Sequence, residues 1–224
     1  MDPRTFWEKK IIGWEDGRYG RPGSRSTLLE RLADKSSASL RHRLDIAREI
    51  LLSVVRDKVV VEIGCGSALL APDLICAGAK SYTGFDIAEA AITRAWDIAE
   101  QAGVGSRAKF IRRDLLSMEP LQADLVFSLG LLDWLRDGEL DRLFLISGDV
   151  RWLHAIAERR FSPAQWVHRL YVHVAYGHRA QGYVPRYYTI NEIESVANSY
   201  HSRPVTIIRD SRLSFGALLS TLEA

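Results

Sequence analysis

The feature that most constrains the fold is the segment Val-Val-Val-Glu-Ile-Gly-Cys-Gly-Ser-Ala, residues 59–68, in which a β-branched run leads directly into two glycines. Such runs are typical of buried strands in parallel sheets. Gly64 allows backbone dihedrals that other residues rarely adopt, and Gly66 has no side chain to keep a ligand away from the backbone. The helix expected next has free N–H groups in its first turn, which bind carboxylates or phosphates. The segment therefore predicts a ligand-binding strand–loop–helix unit.

Hydrophobic patterning predicts that strands and helices alternate along the central part of the chain. Four β-rich runs precede a possible fifth, and helical spacing separates them. Alternation at this interval implies right-handed βαβ units and a parallel sheet. The predicted fold class is α/β, with a Rossmann-like doubly wound sheet. The strands are expected at 58–63, 81–85, 108–112, 124–128 and 152–158, and the helices at 68–77, 88–102 and 139–147.

The C-terminal region predicts an antiparallel addition to this sheet. Two apolar runs, 205–209 and 213–219, are separated by Asp-Ser-Arg, which favours a terminal hairpin. Upstream, Ser162-Pro163 predicts the start of a helix over 164–176. Thr189-Ile-Asn-Glu192 has the pattern of a capping box and predicts a helix over 189–200.

The N-terminal region differs from the rest of the chain in composition and hydrophobic spacing. Residues 6–24 mix aromatic residues with closely spaced glycines, which predicts a loop-rich arm, and 40–54 have helical spacing. We therefore divide the chain into residues 1–56, an arm and helices that cap the ligand site, and residues 57–224, the ligand-binding domain.

Acidic residues close three successive predicted strands: Glu62, Asp86 and Asp114. Ligands of open α/β sheets bind at this edge. The dinucleotide fingerprint needs a glycine where this chain has Leu69. Glu62 would repel a pyrophosphate but suits a ligand with an amine beside its carboxylate, such as the methionine end of S-adenosylmethionine. An acid at position 86 can accept both ribose hydroxyls, and Asp114 can accept a bond from the adenine amino group.

These segments resemble the class I S-adenosylmethionine-dependent methyltransferase family over residues 57–219. The resemblance rests on Glu62-Ile-Gly-Cys-Gly66, Gly84-Phe-Asp86, Arg113-Asp-Leu115 and residues 123–128; Ala68 replaces a frequent third glycine. It implies S-adenosylmethionine as the cofactor, with the loop around the methionine moiety and the fourth strand ending beside the methyl group. The expected cofactor-binding residues are Glu62, Gly64, Cys65, Gly66, Asp86, Ile87, Asp114, Leu115, Ser128 and Leu129.

The sequence says less about the methyl acceptor than about the cofactor. After the fourth strand the chain reads Ser-Leu-Gly-Leu-Leu-Asp-Trp, residues 128–134. It therefore lacks the Asn/Asp-Pro-Pro-Tyr pattern of relatives that methylate amino groups of nucleic acids and glutamine. A net charge of +2 also argues against a nucleic-acid partner. We favour methyl transfer to the O or N of a small molecule, with Asp133 and His154 as candidate catalytic residues. The alternatives are an RNA or protein methyltransferase and a non-catalytic cofactor-binding module.

Histidines, a cysteine and an aromatic segment are further candidates for chemistry. His168, His173 and His178 recur every five residues, whereas helical metal pairs use three or four, so no metal site is predicted. Cys65 is interpreted as a small residue in a tight turn rather than a nucleophile. The aromatic segment 183–188, beside Arg179 and Arg186, fits either a pocket roof that binds an anionic group or a packed surface loop.

Cysteine content and the absence of long apolar stretches bear on location. Two cysteines do not make a disulfide framework, and neither a signal peptide nor a membrane-spanning segment is evident. We therefore expect a reduced, cytoplasmic setting.

Overall fold

The chain was analysed as a computed structural model, which describes residues 2–19, 28–136, 138–160, 165–166 and 184–222. Side chains at 14, 17–19 and 28–37 are not described. Most of the predicted helix over 164–176 lies outside the described residues. So do Arg179, Tyr183 and the three histidines spaced five apart.

Seven strands form one sheet in the order β3-β2-β1-β4-β5-β7-β6. The first five are mutually parallel, while β7 pairs antiparallel to both β5 and β6. This arrangement confirms the predicted Rossmann-like sheet and its antiparallel C-terminal hairpin. The strands are β1 (Val59–Ile63), β2 (Ser81–Asp86), β3 (Ala108–Arg112), β4 (Leu125–Leu129), β5 (Arg151–Ala157), β6 (Thr206–Ile208) and β7 (Gly216–Ser220).

Helices flank the sheet between the strands. Thr189 and Glu192 form the predicted capping box, although the helix that follows ends at Ala197. None of the helices in the described ranges is both long and apolar enough to cross a membrane. The helices are α1 (Pro3–Tyr19), α2 (Leu28–Val54), α3 (Ala71–Cys76), α4 (Glu89–Gln101), α5 (Glu139–Ser147) and α6 (Ile190–Ala197).

Two hydrophobic clusters cover the two faces of the sheet. Successive residues of β1 enter different clusters: Val60 packs with α2 and α3, and Val61 packs with α5 and α6. Burial on both faces explains why β1 is a continuous apolar run rather than an alternating one. The glycine loop that follows β1 therefore rests on a strand fixed from both sides.

The prediction of a loop-rich N-terminal arm is wrong, because residues 3–19 form the helix α1. A helical glycine costs roughly 1 kcal/mol relative to alanine, and docking offsets this cost. Ile11 packs against Ala88 and Ala91. The Glu8 carboxylate accepts bonds from the first N–H groups of α4, at 2.7 and 3.1 Å. Tertiary contacts therefore override the local glycine signal.

Candidate functional site

The glycine loop turns sharply after β1. Gly64 has φ +67° and Gly66 has φ +52°, both in the left-handed region that favours glycine. The Cys65 N–H donates to the Phe85 carbonyl at 2.9 Å, and the Gly66 N–H donates to Asp86 Oδ2 at 2.9 Å. Asp86 Oδ1 accepts from the Ala88 N–H at 2.9 Å. Asp86 thus ties the loop to the end of β2 and holds its carboxylate in a fixed orientation.

A cavity of about 1130 Å³, with its open mouth included, lies beside this loop at the carboxyl ends of β1, β2 and β4. This edge of the sheet is where open α/β folds bind ligands. Its wall contains every predicted cofactor-binding residue except Ser128. Those that line it are Glu62, Gly64, Cys65, Gly66, Asp86, Ile87, Asp114, Leu115 and Leu129.

Helix α1 closes one side of the cavity with residues that sequence reasoning missed. Trp7, Ile11 and Glu15 line it from one face of the helix. Glu15 Oε1 accepts from the Ser67 N–H at 2.9 Å, and Oε2 accepts from the Ser67 hydroxyl. The four-residue spacing of these side chains was the available signal. The glycines between and after these three side chains obscured this helical spacing in the sequence.

The cavity is strongly acidic. Burial, together with repulsion from Glu15 and Asp86, raises the pKa of Glu62 to about 8. Burial also raises the pKa of Asp86 and Glu15 above their usual values. The Tyr82 hydroxyl donates to Glu62 Oε2 and only partly offsets this rise. Asp86 thus raises the proton affinity of both Glu15 and Glu62, and three carboxyl groups placed this way form a site suited to a cationic ligand.

This proton binding predicts a pH dependence of stability. Because the pKa of Glu62 is higher in the folded state than its usual value of 4.5, the folded protein holds an extra proton between about pH 4.5 and about pH 8. The ligand-free protein should therefore lose stability as pH rises through this range. Glu62→Gln should flatten the decrease, as measured by melting temperature from pH 5 to pH 9. Equal slopes for both proteins would contradict the Glu62 assignment.

Asp114 and Cys65 both line the cavity. Each also makes contacts within the protein. Asp114 Oδ1 accepts from the Leu116 N–H at 2.9 Å, so this residue also caps a short turn. Cys65 packs into the core, where a Cβ added at Gly84 would lie 2.8 Å from its sulfur. Burial raises the pKa of the Cys65 thiol well above its usual value. A neutral, packed thiol agrees with the interpretation as a turn residue.

Ser128 and His154 lie in the core rather than at the cavity. The two residues pair across β4 and β5, and His154 Nδ1 is 2.9 Å from Ser128 Oγ. His154 is fully buried and stacks on Trp152, with ring centroids 4.9 Å apart. Burial lowers its pKa to about 3. Neither side chain lines the cavity. The structure therefore does not bring Ser128 to the expected cofactor site or His154 to an acceptor, and both roles stay predictions.

Asp133 is buried but does not line the cavity, although Trp134 beside it does. Its Oδ1 accepts from the Ala157 N–H at 2.6 Å, at the end of β5. Burial raises its pKa to about 6, against the opposing attraction of Arg43. In this structure Asp133 therefore supports the loop after β4, and a catalytic role for it stays a prediction.

The aromatic segment before α6 reaches the same loop. The Arg186 N–H donates to the Asp133 carbonyl at 2.6 Å, and the Tyr188 hydroxyl donates to the Leu135 carbonyl at 3.1 Å. On the other side, Trp134 packs edge-to-face on Trp7 of α1, with ring centroids 4.9 Å apart. The loop after β4 is thus held between α1 and the segment 184–188.

Comparison with known proteins agrees with this geometry. Residues 60–146 match a family model described as a methyltransferase domain. Magnesium protoporphyrin IX methyltransferase from Synechocystis PCC 6803, solved with bound S-adenosylmethionine, has the same fold. It is 16% identical, with a TM-score of 0.69, and the alignment covers 98% of this chain and 96% of that one. The predicted resemblance to the class I S-adenosylmethionine-dependent methyltransferase family is confirmed over residues 60–146.

Two curated methyltransferases are similar to this chain over shorter stretches. A tRNA U34 carboxymethyltransferase from Glaesserella parasuis serovar 5 (strain SH0165) is 29% identical over 60% of this chain. A ribosomal protein L11 methyltransferase from Haemophilus influenzae (strain PittEE) is 40% identical over 32% of this chain. The aligned parts span only 39% and 24% of those relatives. The chain therefore spans less than half the length of the curated relatives it matches.

Proposed function

We propose that this protein is a class I methyltransferase that binds S-adenosylmethionine in the cavity and transfers its methyl group to the O or N of a small-molecule acceptor. The observation that carries the proposal is the convergence of Glu62, Asp86 and Glu15 on one cavity beside a glycine loop. S-adenosylmethionine has both a cationic sulfonium and an ammonium group, which relieve the repulsion among these carboxylates. A nucleotide pyrophosphate would increase it.

The residues present fit such a ligand from end to end. The Asp86 carboxylate is held by the Gly66 and Ala88 N–H groups, and each of its oxygens retains a lone pair for a ribose hydroxyl. Asp114 has one oxygen outside its turn bond to accept from an adenine amino group. Glu62 faces the cationic end. Gly66 leaves room because it has no side chain.

The bound cofactor supplies a methyl group already activated by a positively charged sulfur. The chain's task is to align the acceptor with that group and to exclude water, and such positioning can supply much of a rate enhancement. Leu129, Leu131 and Trp134 provide apolar walls at the end of β4. A base is needed only when the acceptor must lose a proton, and no residue is assigned to that role.

Helix α1 is proposed as the cap of the bound cofactor, because Trp7, Ile11 and Glu15 form one wall of its cavity. Cofactor binding should therefore stabilise the docked helix. We expect limited proteolysis between Trp7 and Tyr19 to slow when S-adenosylhomocysteine is present. Equal cleavage rates with and without the ligand would contradict the cap.

A macromolecular acceptor is the second candidate. It is favoured by similarity to a tRNA U34 carboxymethyltransferase and a ribosomal protein L11 methyltransferase. Against it stands the near-neutral net charge of +2, since RNA binding relies on neutralising phosphates. That nucleic acid is not the partner stays a prediction.

One experiment separates these functions. The protein is incubated with S-adenosylmethionine labelled in the methyl group and with two pools from a cell extract, one of metabolites and one of RNA and ribosomes. Label in the metabolite pool supports the proposal. Label in the macromolecular pool supports the second candidate. Cofactor binding without label in either pool supports a non-catalytic module and overturns the proposed activity.

A further inference from the structure

The guanidinium of Arg43, on α2, lies against Gly130. Arg43 itself does not line the cavity, so it is separated from the cavity by the backbone of this glycine. Gly130, which follows β4, lines the cavity, as does Leu44, the neighbour of Arg43. A Cβ added at Gly130 would lie 2.8 Å from Arg43 Nη2 and 3.4 Å from its Cζ. Gly130 also has φ +95°. The guanidinium therefore rests on the backbone of the loop after β4, where no side chain intervenes.

This cation is not fully bonded within the described part of the chain. Arg43 is 6% exposed, and its Nε and Nη2 are buried without a hydrogen-bond partner. Asp133 attracts it electrostatically, but Asp133 Oδ1 is bonded to the Ala157 N–H instead. A buried charged donor without an acceptor is costly to a fold. Its presence beside a ligand cavity points to an anion that is bound during function.

Carboxylates surround the glycine loop, where Glu15, Glu62 and Asp86 line the cavity and repel an anionic group. Arg43 lies beside the loop after β4, as do the carboxyl groups of Asp133 and Glu139. Its guanidinium is a cation on this loop that can attract an anion. Two adjacent N–H donors of a guanidinium match the spacing of two oxygens on a carboxylate or phosphate.

We propose that Arg43 binds an anionic group, a carboxylate or a phosphate, of the methyl acceptor. This inference rests on the proposed function and names the class of its substrate. The anion takes the place of the groups that now cover Nε and Nη2. Arg43 is a specificity-determining residue in this scheme, because it holds a part of the acceptor that does not react.

The test separates metabolites by charge before the reaction, so that methylation of the anion itself does not obscure the result. An extract is divided on an anion exchanger into anionic and non-anionic pools, and half of the anionic pool is treated with phosphatase. Each is incubated with labelled S-adenosylmethionine and the wild-type, Arg43→Met, Arg43→Lys or Arg48→Met protein. Arg48, on the same helix, is a matched control because it is exposed and pairs with Asp73.

We expect label from the anionic pool, reduced at least about tenfold by Arg43→Met and less by Arg43→Lys. The affinity for S-adenosylmethionine should stay unchanged in both variants, which a general loss of structure would not allow. Phosphatase should abolish the label if the anion is a phosphate and leave it if the anion is a carboxylate. Label from the non-anionic pool, or equal labelling by wild type and Arg43→Met, would overturn the inference. No label from any pool would instead overturn the proposed activity on which the inference rests.

Discussion

Asp86→Ala is expected to weaken S-adenosylmethionine binding by at least about tenfold. The carboxylate accepts the Gly66 and Ala88 N–H groups at 2.9 Å each and is proposed to accept the ribose hydroxyls. Hydrogen bonds to a charged acceptor contribute roughly 1.5–3 kcal/mol each, and 1.4 kcal/mol is a factor of ten in affinity. The substitution therefore removes both a ligand contact and the support of the loop.

Isothermal titration calorimetry measures this effect directly. Asp97→Ala is a suitable control, because Asp97 is an exposed residue of α4 outside the cavity wall. It should bind as the wild type does. Asp86→Asn should lie between the two, since the amide keeps one acceptor oxygen but loses the charge. Wild-type affinity in Asp86→Ala would reject the ribose assignment.

Gly66→Ala should reduce binding by more than about tenfold, for two separable reasons. The residue has φ +52°, where an L side chain costs roughly 1–2 kcal/mol. An added Cβ would also lie 2.2 Å from Glu15 Oε1, on the side of the loop that faces the cavity. The substitution must therefore displace Glu15 from Ser67 or move the loop away from the cofactor.

Gly103→Ala is the matched control for Gly66→Ala, because it introduces backbone strain without a steric clash. Gly103 has φ +69°, but nothing lies within 4 Å of its added Cβ. It should lower the melting temperature through strain alone and leave the affinity for S-adenosylmethionine unchanged. If Gly66→Ala and Gly103→Ala bind equally well, close approach of the cofactor to Gly66 is contradicted.

The cofactor half of the site was predictable because its signals are local. The β-branched run, the glycines and Asp86 each follow from backbone conformation within a few residues of β1 and β2. Parallel strands then bring their carboxyl ends to one edge of the sheet. This is why Glu62 of β1, Asp86 of β2 and Asp114, two residues beyond β3, line one cavity.

The features that the sequence did not predict depend on contacts between residues far apart in the chain. Docking on α4 makes α1 a helix despite its glycines, and places Glu15 against Ser67, 52 positions away. His154 is on the strand expected, but its ring is stacked on Trp152 in the core. Polarity alone does not reveal whether a strand residue faces a cavity or the interior. Arg43 was likewise missed, because its place beside Gly130 arises only when α2 packs onto the sheet.

The most direct measurement is a calorimetric titration of the wild-type protein with S-adenosylmethionine, S-adenosylhomocysteine, ATP and NAD. An acidic cavity that binds a cationic nucleoside through a glycine loop predicts saturable one-to-one binding of the first two, with dissociation constants below about 1 mM. ATP and NAD should produce no binding, because their phosphates meet Glu62 and Asp86. Absence of binding by S-adenosylmethionine, or equal binding by NAD, would contradict the identification of this cavity.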